Sequence, residues 1–270
     1  MKRIYLEITN SCNLNCKFCT QDKGHNFIDI NTFKNYIKQI KEVTNYIYLH
    51  VLGEPLLHKD IEEMFNILDE YYMNLQLVTN GILLKNHLDI LNHKCLRKLS
   101  ISLHSINNLN IDDDYFKTIS YLIENNNHKT IELRLYGNDK LDDKLNNFIK
   151  SLNEKYQIED TNKQNSYKLK ENVFIYYSDF FKWPNINDEY IGDTGKCQGI
   201  RNQLAILNDG TVTSCCLDTK GINSFGNLNE KSLKEILNST SYLNALKDLN
   251  DNKLSLKLCK HCTYHLRFKL

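Results

Sequence analysis

Three cysteines lie close together near the start of the chain, in the segment Cys-Asn-Leu-Asn-Cys-Lys-Phe-Cys. Cys12, Cys16 and Cys19 have three and then two residues between them. Three thiolates on one short loop can hold three irons of a cubane four-iron cluster and leave the fourth iron open to another ligand. A closed zinc site would need a fourth ligand, and His25 is near enough in sequence to be considered. The spacing favours the cluster, with zinc and inert thiols as alternatives.

Four further cysteines form a second group in the last third of the chain, and two of them make a C-x-x-C pair: Cys197, Cys215, Cys259 and Cys262. Four thiolates can occupy all four irons of a cluster. Such a cluster has no open site for substrate, so it would serve electron transfer or brace the fold. Four cysteines with a C-x-x-C pair are also a structural zinc pattern, which is the alternative here.

The composition limits the compartment and the class of partner. With 270 residues, 41% hydrophobic and 25% charged, the chain can bury a sizeable core. The net charge of +1 provides no field for coating polyanions, so we expect no nucleic-acid polymer as a partner. No apolar run approaches the roughly 20 residues of a membrane helix, and Glu7 comes too early for a signal-peptide core. We therefore expect a cytoplasmic protein with no membrane partner.

In a reducing compartment, nine cysteines indicate metal binding or catalysis rather than a disulfide framework. Seven of them belong to the two groups above. Cys95 lies in an apolar stretch and is interpreted as a small core residue. Cys216 adjoins Cys215 and is either a bystander or a substitute ligand.

The elements that position these residues follow from periodicity. Short apolar or β-branched runs predict strands at residues 3–9, 46–52, 75–80, 99–104, 130–136 and 172–177. Segments with helical spacing predict helices between them at 31–43, 60–72, 84–92, 111–125 and 140–153. The alternation predicts an α/β fold with parallel strands in an open or partial barrel, with its chemistry at the carboxyl ends of the strands.

The alternation stops after residue 177, and residues 178–195 are predicted to connect to a smaller unit. There Asn208-Asp209-Gly210 separates two short strands at 203–207 and 211–214, and Asp-Gly is a strong hairpin signal. Residues 229–249 have roughly helical spacing. We therefore expect two domains, at 1–190 and 191–270.

The three-cysteine loop after the first strand resembles the signature of the radical S-adenosylmethionine (SAM) superfamily, whose fold is a partial (β/α)6 TIM-like barrel. The resemblance implies that the open iron binds the amino and carboxylate groups of SAM. It also implies that an electron from the cluster cleaves SAM to methionine and a 5′-deoxyadenosyl radical. A flavodoxin or ferredoxin is then the expected electron donor.

The second cysteine group, with Gly226-Asn227-Leu228, resembles the auxiliary-cluster domains known as SPASM and Twitch. The full SPASM pattern needs seven cysteines. This departure favours the shorter Twitch form, with one auxiliary [4Fe-4S] cluster. The expected fold is therefore α/β, a radical SAM partial barrel followed by a small C-terminal α+β domain.

By the same resemblance, segments at predicted strand ends are candidates for binding SAM. Phe18 fits the aromatic residue that packs by the adenine. Gly53-Glu54-Pro55 matches the segment that receives the SAM amino group, and a carboxylate complements an ammonium. Thr79 and Asn80 follow the third strand, where a plain turn is the alternative.

Polar residues alternate along two predicted strands, so those on each strand share a face: Ser100, Ser102 and His104, then Glu132, Arg134 and Tyr136. An interior lined in this way implies a polar ligand. The resemblance makes Ser102 and Arg134 candidates for SAM and leaves His104 and Glu132 for substrate. The alternative is a buried network in which these side chains satisfy one another, and the same ambiguity holds for Glu7 and His50.

The motifs do not fix the substrate. Residues 48–58 and 101–105 resemble a group of small radical SAM proteins from anaerobes, which favours a nucleotide-like substrate and C–N bond cleavage. The specific hypothesis is release of queuine from queuosine 5′-phosphate, with proton transfer by His104 or Glu132 and phosphate binding by Arg201 or Arg134. The alternatives are a Twitch-type dehydrogenase of an aminocyclitol-like alcohol, a peptide-modifying SPASM enzyme, and a zinc-stabilised binding module without enzymatic activity.

Overall fold

The computed structural model describes residues 1–20, 24–126, 128–137, 141–159 and 166–268. Its strands are β1 (Arg3–Leu6), β2 (Tyr46–Tyr48), β3 (Asn74–Thr79), β4 (Leu96–Ser102), β5 (Thr130–Tyr136), β6 (Tyr167–Lys170), β7 (Val173–Ser178), β8 (Gln203–Ile206), β9 (Thr211–Thr213) and β10 (Gly226–Asn227). Its α-helices are α1 (Ile30–Lys41), α2 (Ile61–Glu70), α3 (Asp113–Glu124), α4 (Asp143–Lys155), α5 (Leu233–Leu237) and α6 (Thr240–Asn250). No helix in the described part of the chain is long and apolar enough to cross a membrane.

The chain divides into two compact units, one of residues 1–74 with 181–270 and one of residues 75–180. In the first unit the strand order is β10-β9-β8-β1-β2. Strand β1 runs parallel to both β2 and β8, and the predicted hairpin is present as the antiparallel pair β8–β9. The Tyr36 hydroxyl also donates to the Asn229 side chain, so the last part of the chain packs with the first. The domain boundary near residue 190 remains a prediction.

In the second unit the strand order is β3-β4-β5-β7-β6. The strands β3, β4, β5 and β7 are parallel, and β6 joins antiparallel at the edge. On β5 the residues alternate strictly, because Ile131, Leu133 and Leu135 are buried while the residues between them are partly exposed. One face of this unit therefore packs into the core and the other presents polar side chains.

The helices begin where the sequence offers a side-chain acceptor. Asp29 accepts hydrogen bonds from two backbone N–H groups at the start of α1, and Asp112 and Asp142 each accept one at the start of α3 and α4. Ser232 and Glu235 form a reciprocal capping box on α5. These caps satisfy N–H groups that have no partner within the helix, and each stabilises its helix by about 1 kcal/mol.

Several predicted elements differ from the structure. The helix predicted at 84–92 is wrong: two 3₁₀ turns occupy Leu84–Asn86 and Ile90–Asn92. The two fully buried side chains, Leu84 and Ile90, are six residues apart, a spacing that does not repeat on one face of an α-helix. Residues 229–249 form two helices because Ser239 starts a new one. Strand β6 was not predicted, and Lys140, the predicted start of the fourth helix, lies outside the described residues.

Candidate active site

The first three cysteines lie on a loop that is closed at its base. An antiparallel bridge joins Thr9 to Phe27, and the Asn10 side chain accepts from the Asn26 backbone N–H at 2.9 Å. Within the loop, the Cys19 N–H donates to the Cys16 carbonyl at 3.1 Å. The backbone therefore folds back on itself so that all three cysteines lie between two fixed ends.

The donor set of this loop fits an iron–sulfur cluster. The thiols of Cys12, Cys16 and Cys19 are partly exposed and not in disulfides. The Leu14 N–H approaches the Cys12 sulfur at 3.4 Å, a contact that stabilises a thiolate. Phe18 lies half-buried between Cys16 and Cys19.

Glu54 is held against the start of this loop. Its backbone N–H donates to the Ser11 carbonyl at 2.8 Å, one residue before Cys12. Its carboxylate is 2% exposed and accepts from the Leu56 N–H at 3.2 Å, which caps the turn Pro55–Leu57. The backbone of Glu54 is thus joined to the cysteine loop, and its buried side chain caps the following turn; SAM binding by Glu54 stays a prediction.

Gly53 permits this approach. Its φ is +76°, and a Cβ there would lie 2.3 Å from the Thr9 carbonyl oxygen and 2.9 Å from that of Ser11. Any side chain would clash with rigid backbone, so glycine is required at this position.

Tyr5 on β1 and Tyr48 on β2 form an aromatic pair in the first unit, and Glu7 and His50 lie just after the two strands. Tyr5 stacks on Tyr48 with ring centroids 4.4 Å apart, and the His50 ring meets both at its edge. Glu7, two residues after Tyr5, is 3% exposed. Sequence reasoning missed Tyr5 and Tyr48, although their two-residue spacing from Glu7 and His50 was the available signal.

Glu7 joins two chain segments. Its carboxylate oxygens accept from the backbone N–H of Leu52 at 3.0 Å and of Asn208 at 3.3 Å. Burial raises the pKa of Glu7 to about 7, against the lowering effect of these two hydrogen bonds. For Glu7 the structure therefore favours the alternative of a satisfied buried group.

The second cysteine group comes together in the first unit. Burial and the neighbouring thiols of Cys216, Cys259 and Cys197 raise the pKa of Cys215, so these sulfurs lie within electrostatic range of one another. Burial and the Cys197 thiol also raise the pKa of Cys262. Cys197, partly exposed, accepts from the Gly199 N–H at 3.4 Å. The predicted set of four is thus assembled from three separate parts of the chain.

A zinc ion and a four-iron cluster place different demands on these four thiols. Among the residues that the structure describes, no three or more His, Cys, Asp or Glu side chains are arranged to hold a single metal ion. Zinc would need four ligands at bonding distance from one ion, whereas a four-iron cluster takes thiolates spread around a larger cube.

Two polar residues missed by sequence reasoning brace this set. Asn223 is 5% exposed and its amide nitrogen lies 3.6 Å from the Cys259 sulfur. Asp218 is fully buried and accepts from the Asn223 N–H at 2.8 Å. No local sequence pattern distinguishes either residue.

The Cys216 side chain packs among apolar residues. It packs against the buried apolar cluster of Tyr5, Val51, Ala205 and Leu207. Burial raises the pKa of Cys216 to about 11, against the lowering effect of its hydrogen bond to Tyr5. Cys95 is 2% exposed, as expected of a small core residue.

Arg201 is hydrogen-bonded to the C-terminal end of α6. Its guanidinium donates to the Leu249 carbonyl at 2.6 Å and to the Asn250 side chain at 3.1 Å, in the last turn of α6. A cation at a helix C-terminus is stabilising. Phosphate binding by Arg201 remains a prediction, and these contacts occupy part of its donor set.

In the second unit, Glu132 and Arg134 do share a face of β5, and they pair with each other. The Arg134 Nε lies 3.6 Å from a Glu132 carboxylate oxygen, and Lys98 pairs with the same carboxylate. The Arg134 guanidinium also lies 4.5 Å from the centre of the Tyr136 ring. The side chains thus form a network, the alternative that the sequence left open.

His104 is not on the strand. Strand β4 ends at Ser102, and His104 lies in the 3₁₀ turn Leu103–Ile106, so the predicted shared face with Ser100 and Ser102 is wrong. Its ring stacks on Tyr136, and its Nδ1 lies 3.1 Å from the Arg134 carbonyl oxygen. His104 therefore still lies beside the Glu132–Arg134 network.

Thr79 and Asn80 form a tight turn after β3. The Thr79 hydroxyl accepts from the Gly81 N–H at 3.0 Å, and the Asn80 side-chain oxygen accepts from the Ile82 N–H at 3.0 Å. Both residues are buried, and the φ of Gly81 is +86°. The turn alternative accounts for these contacts.

Two family profiles match this chain. The radical SAM superfamily profile matches residues 6–151, and the SPASM profile, described as an iron-sulfur cluster-binding domain, matches residues 197–263. The first match contains the cysteine loop and Glu54, and the second contains all four cysteines of the second group.

Curated relatives match part of the chain. The GTP 3′,8-cyclase of Aquifex aeolicus is 30% identical over 120 residues, 40% of this chain and 36% of the relative. A probable GTP 3′,8-cyclase of Methanocaldococcus jannaschii is 32% identical over 112 residues, 40% of this chain and 38% of the relative. The matched part spans less than two fifths of these two relatives' own length.

Solved structures share the fold. BtrN in complex with AdoMet and 2-DOIA is similar at a TM-score of 0.58 and 17% identity, over 97% of this chain and 92% of that one. Native anSMEcpe with bound AdoMet gives a TM-score of 0.62 at 13% identity, over 97% and 89%. These likenesses confirm the predicted α/β fold, a partial barrel with a small C-terminal domain. The chain therefore belongs to the radical SAM superfamily, with the SAM-binding [4Fe-4S] cluster, the SAM and the auxiliary iron–sulfur cluster that its two matched domains imply.

Proposed function

We propose that this protein cleaves SAM reductively and uses the 5′-deoxyadenosyl radical to abstract hydrogen from a small nucleotide-like substrate. The observation that carries the first part is the hydrogen bond from the Glu54 N–H to the Ser11 carbonyl. It joins the backbone of Glu54, whose side chain is buried, to the residue before Cys12, which supports a site there for the cluster and the SAM ammonium.

The residues at this site would have separate roles. Cys12, Cys16 and Cys19 would hold the cluster, and Glu54 would bind the SAM amino group through a charge-assisted hydrogen bond. When bound and reduced, the cluster supplies the electron that breaks the SAM sulfonium bond. Gly53 keeps Glu54 at this position because no side chain fits between it and Thr9.

Cys197, Cys215, Cys259 and Cys262 would hold the auxiliary cluster. With all four irons bound to protein it would exchange electrons rather than bind substrate. A flavodoxin- or ferredoxin-type protein is the proposed electron donor.

Two observations support a nucleotide-like substrate. The relatives above are named for a reaction on GTP, itself a nucleotide. In the second unit, the polar face carries an aromatic ring beside a guanidinium at Tyr136 and Arg134, the groups that suit a base and a phosphate.

Within this class we propose C–N bond cleavage that releases queuine from queuosine 5′-phosphate, the reaction of a queuine lyase. Removal of a ribose hydrogen would precede breakage of the bond between ribose and base. Glu132 or His104 would transfer the proton that accompanies breakage of this bond, and Arg134 or Arg201 would bind the phosphate. Ser102, whose side chain is partly exposed at the end of β4, is a proposed SAM contact with Phe18, Thr79 and Asn80.

The test is a set of parallel anaerobic reactions with reconstituted protein, SAM and dithionite. Queuosine 5′-phosphate, free queuosine, GTP and an aminocyclitol are supplied separately, and 5′-deoxyadenosine and substrate-derived products are quantified by mass spectrometry. Free queuine formed together with 5′-deoxyadenosine supports the lyase. An oxidised but intact aminocyclitol supports a dehydrogenase instead, and a cyclised GTP product supports a cyclase.

Matched controls distinguish a failure of SAM cleavage from a wrong substrate. Cys16→Ala should abolish 5′-deoxyadenosine with every substrate, whereas Cys95→Ala, which changes a buried thiol outside both groups, should not. If the wild-type protein binds no iron and sulfide, or never cleaves SAM under reduction, the radical mechanism is wrong.

A further inference from the structure

Asn223 bridges two cysteine-bearing segments of the second group. Its side-chain oxygen accepts from the Leu258 N–H at 3.1 Å, directly before Cys259. Its amide nitrogen donates to the Ser214 hydroxyl at 3.0 Å, directly before Cys215, and lies 3.6 Å from the Cys259 sulfur. A single side chain therefore connects the neighbourhoods of two predicted ligands.

The orientation of this amide is fixed by chemistry. A backbone N–H can only donate, so the atom facing Leu258 must be the amide oxygen. The amide nitrogen consequently faces the Cys259 sulfur and presents hydrogen-bond donors to it. A flipped amide would leave the Leu258 N–H facing another donor.

Asp218 holds Asn223 in place. This fully buried carboxylate accepts from the backbone N–H groups of Ile222 and Asn223, both at 2.8 Å, and pairs with the Thr213 hydroxyl. Three donors converge on it from the end of β9 and from the following loop. Loss of Asp218 would release the backbone that carries Asn223.

We propose that Asn223 is a positioning residue that raises the reduction potential of the auxiliary cluster through its N–H···S hydrogen bond to Cys259, with Asp218 orienting it. The inference rests on the proposed function, because it takes Cys259 as a cluster ligand. Reduction adds negative charge to a cluster and its thiolates, and a donor to sulfur stabilises that charge. The Gly199 N–H at Cys197 acts in the same sense but comes from backbone, so side-chain substitutions leave it in place.

The experiment is a redox titration of the full-length, anaerobically reconstituted protein without substrate, followed by electron paramagnetic resonance. Asn223→Ala removes the donor. Asn223→Asp keeps the shape and the acceptor for Leu258 but replaces the donor with a carboxylate. Asn238→Ala is the matched control, because the exposed Asn238 side chain donates to the Lys234 carbonyl at 2.8 Å in the same domain.

In both Asn223 variants the auxiliary cluster should be reduced less readily than in the wild type. The expected change is about tenfold in the ratio of reduced to oxidised cluster at a fixed potential, which for one electron is ~59 mV lower. Asn223→Asp should shift at least as far, because it also adds negative charge. The SAM-binding cluster should keep its potential in both variants, and Asn238→Ala should match wild type at both clusters.

Two results would overturn the inference. Asn223 variants with full iron content and an unchanged auxiliary potential would show that the hydrogen bond does not tune the cluster. Loss of the auxiliary cluster in both variants would reduce Asn223 to a structural role. A wild-type protein with only one cluster signal would instead refute the auxiliary-cluster assignment itself, and this result is recognised before any variant is made.

Discussion

The imidazole of His104 and the phenol ring of Tyr136 stack with centroids 4.6 Å apart and planes 5° from parallel. The Arg134 carbonyl can only accept, so its contact with His104 Nδ1 at 3.1 Å requires a proton on that nitrogen. In this tautomer Nε2 carries the lone pair. Burial lowers the pKa of His104 to about 4, so the ring is neutral near pH 7. Its Nε2 can therefore accept a proton, while the Nδ1 proton is held by the Arg134 carbonyl.

The pH dependence of stability should reveal this neutral histidine. The folded pKa of about 4 lies below the ordinary value of 6.5, so the unfolded state binds the proton first as pH falls. The stability present above pH 6.5 should therefore decrease between pH 6.5 and 4, by up to about 3 kcal/mol from this group. His104→Gln should flatten that part of the profile in urea unfolding measurements. Identical profiles for the two proteins would contradict the buried neutral state.

Glu7 should act in the opposite direction over an overlapping pH range. Its folded pKa of about 7 lies above the ordinary 4.5, so its stabilising contribution is complete below pH 4.5 and is lost as pH rises through 7. We expect the free energy of unfolding of the wild type, relative to that of Glu7→Gln, to decrease between pH 4.5 and 7. Denaturant titrations at several pH values provide the measurement. A variant that keeps the wild-type slope would show that Glu7 ionises without cost.

Gly53→Ala should damage the cysteine loop. The new Cβ would lie 2.3 Å from the Thr9 carbonyl oxygen, and φ at +76° disfavours alanine, so a loss of about 2 kcal/mol or more is expected. Iron content at the SAM-binding cluster should decrease together with thermal stability. Gly192→Ala is the control, because Gly192 also has positive φ but nothing lies within 4 Å of its added Cβ. Equal effects of the two substitutions would assign the loss to backbone strain alone.

Glu54→Gln should weaken SAM binding without removing the cluster. The glutamine keeps an oxygen for the Leu56 N–H but loses the charge that pairs with the SAM ammonium, so the Kd for SAM should rise about tenfold or more. Isothermal titration calorimetry on the reconstituted protein measures this. Glu63→Gln, an exposed carboxylate on α2, should bind SAM as wild type does. An unchanged Kd in Glu54→Gln would remove Glu54 from the SAM site.

Adjacent cysteines should respond differently to substitution. Cys215→Ala should lose the auxiliary cluster, whereas Cys216→Ala should retain both clusters because Cys216 packs among Tyr5, Val51 and Leu207. Iron and sulfide analysis of the two purified variants distinguishes them. Loss of the auxiliary cluster in Cys216→Ala would identify Cys216 as a ligand.

The sequence alone predicted the features that depend on short stretches of chain. The spacing of Cys12, Cys16 and Cys19, the Asp-Gly hairpin and the Gly-Glu-Pro turn are each local, because a loop or tight turn is encoded by a few consecutive residues. The alternation of strands and helices is likewise read from two- and 3.6-residue periods. Together these patterns led to the superfamily and to the α/β fold.

The tertiary structure decided which polar side chains already form ion pairs or hydrogen bonds within the protein. Glu132 pairs with Lys98 across neighbouring strands, and Arg201 binds the end of α6 some 50 residues later in the chain. Asn223 meets Cys259 only because a loop and a 3₁₀ turn converge in space. Charge pairing, burial and hydrogen bonding between distant residues depend on packing, and no periodicity or spacing in the chain encodes them.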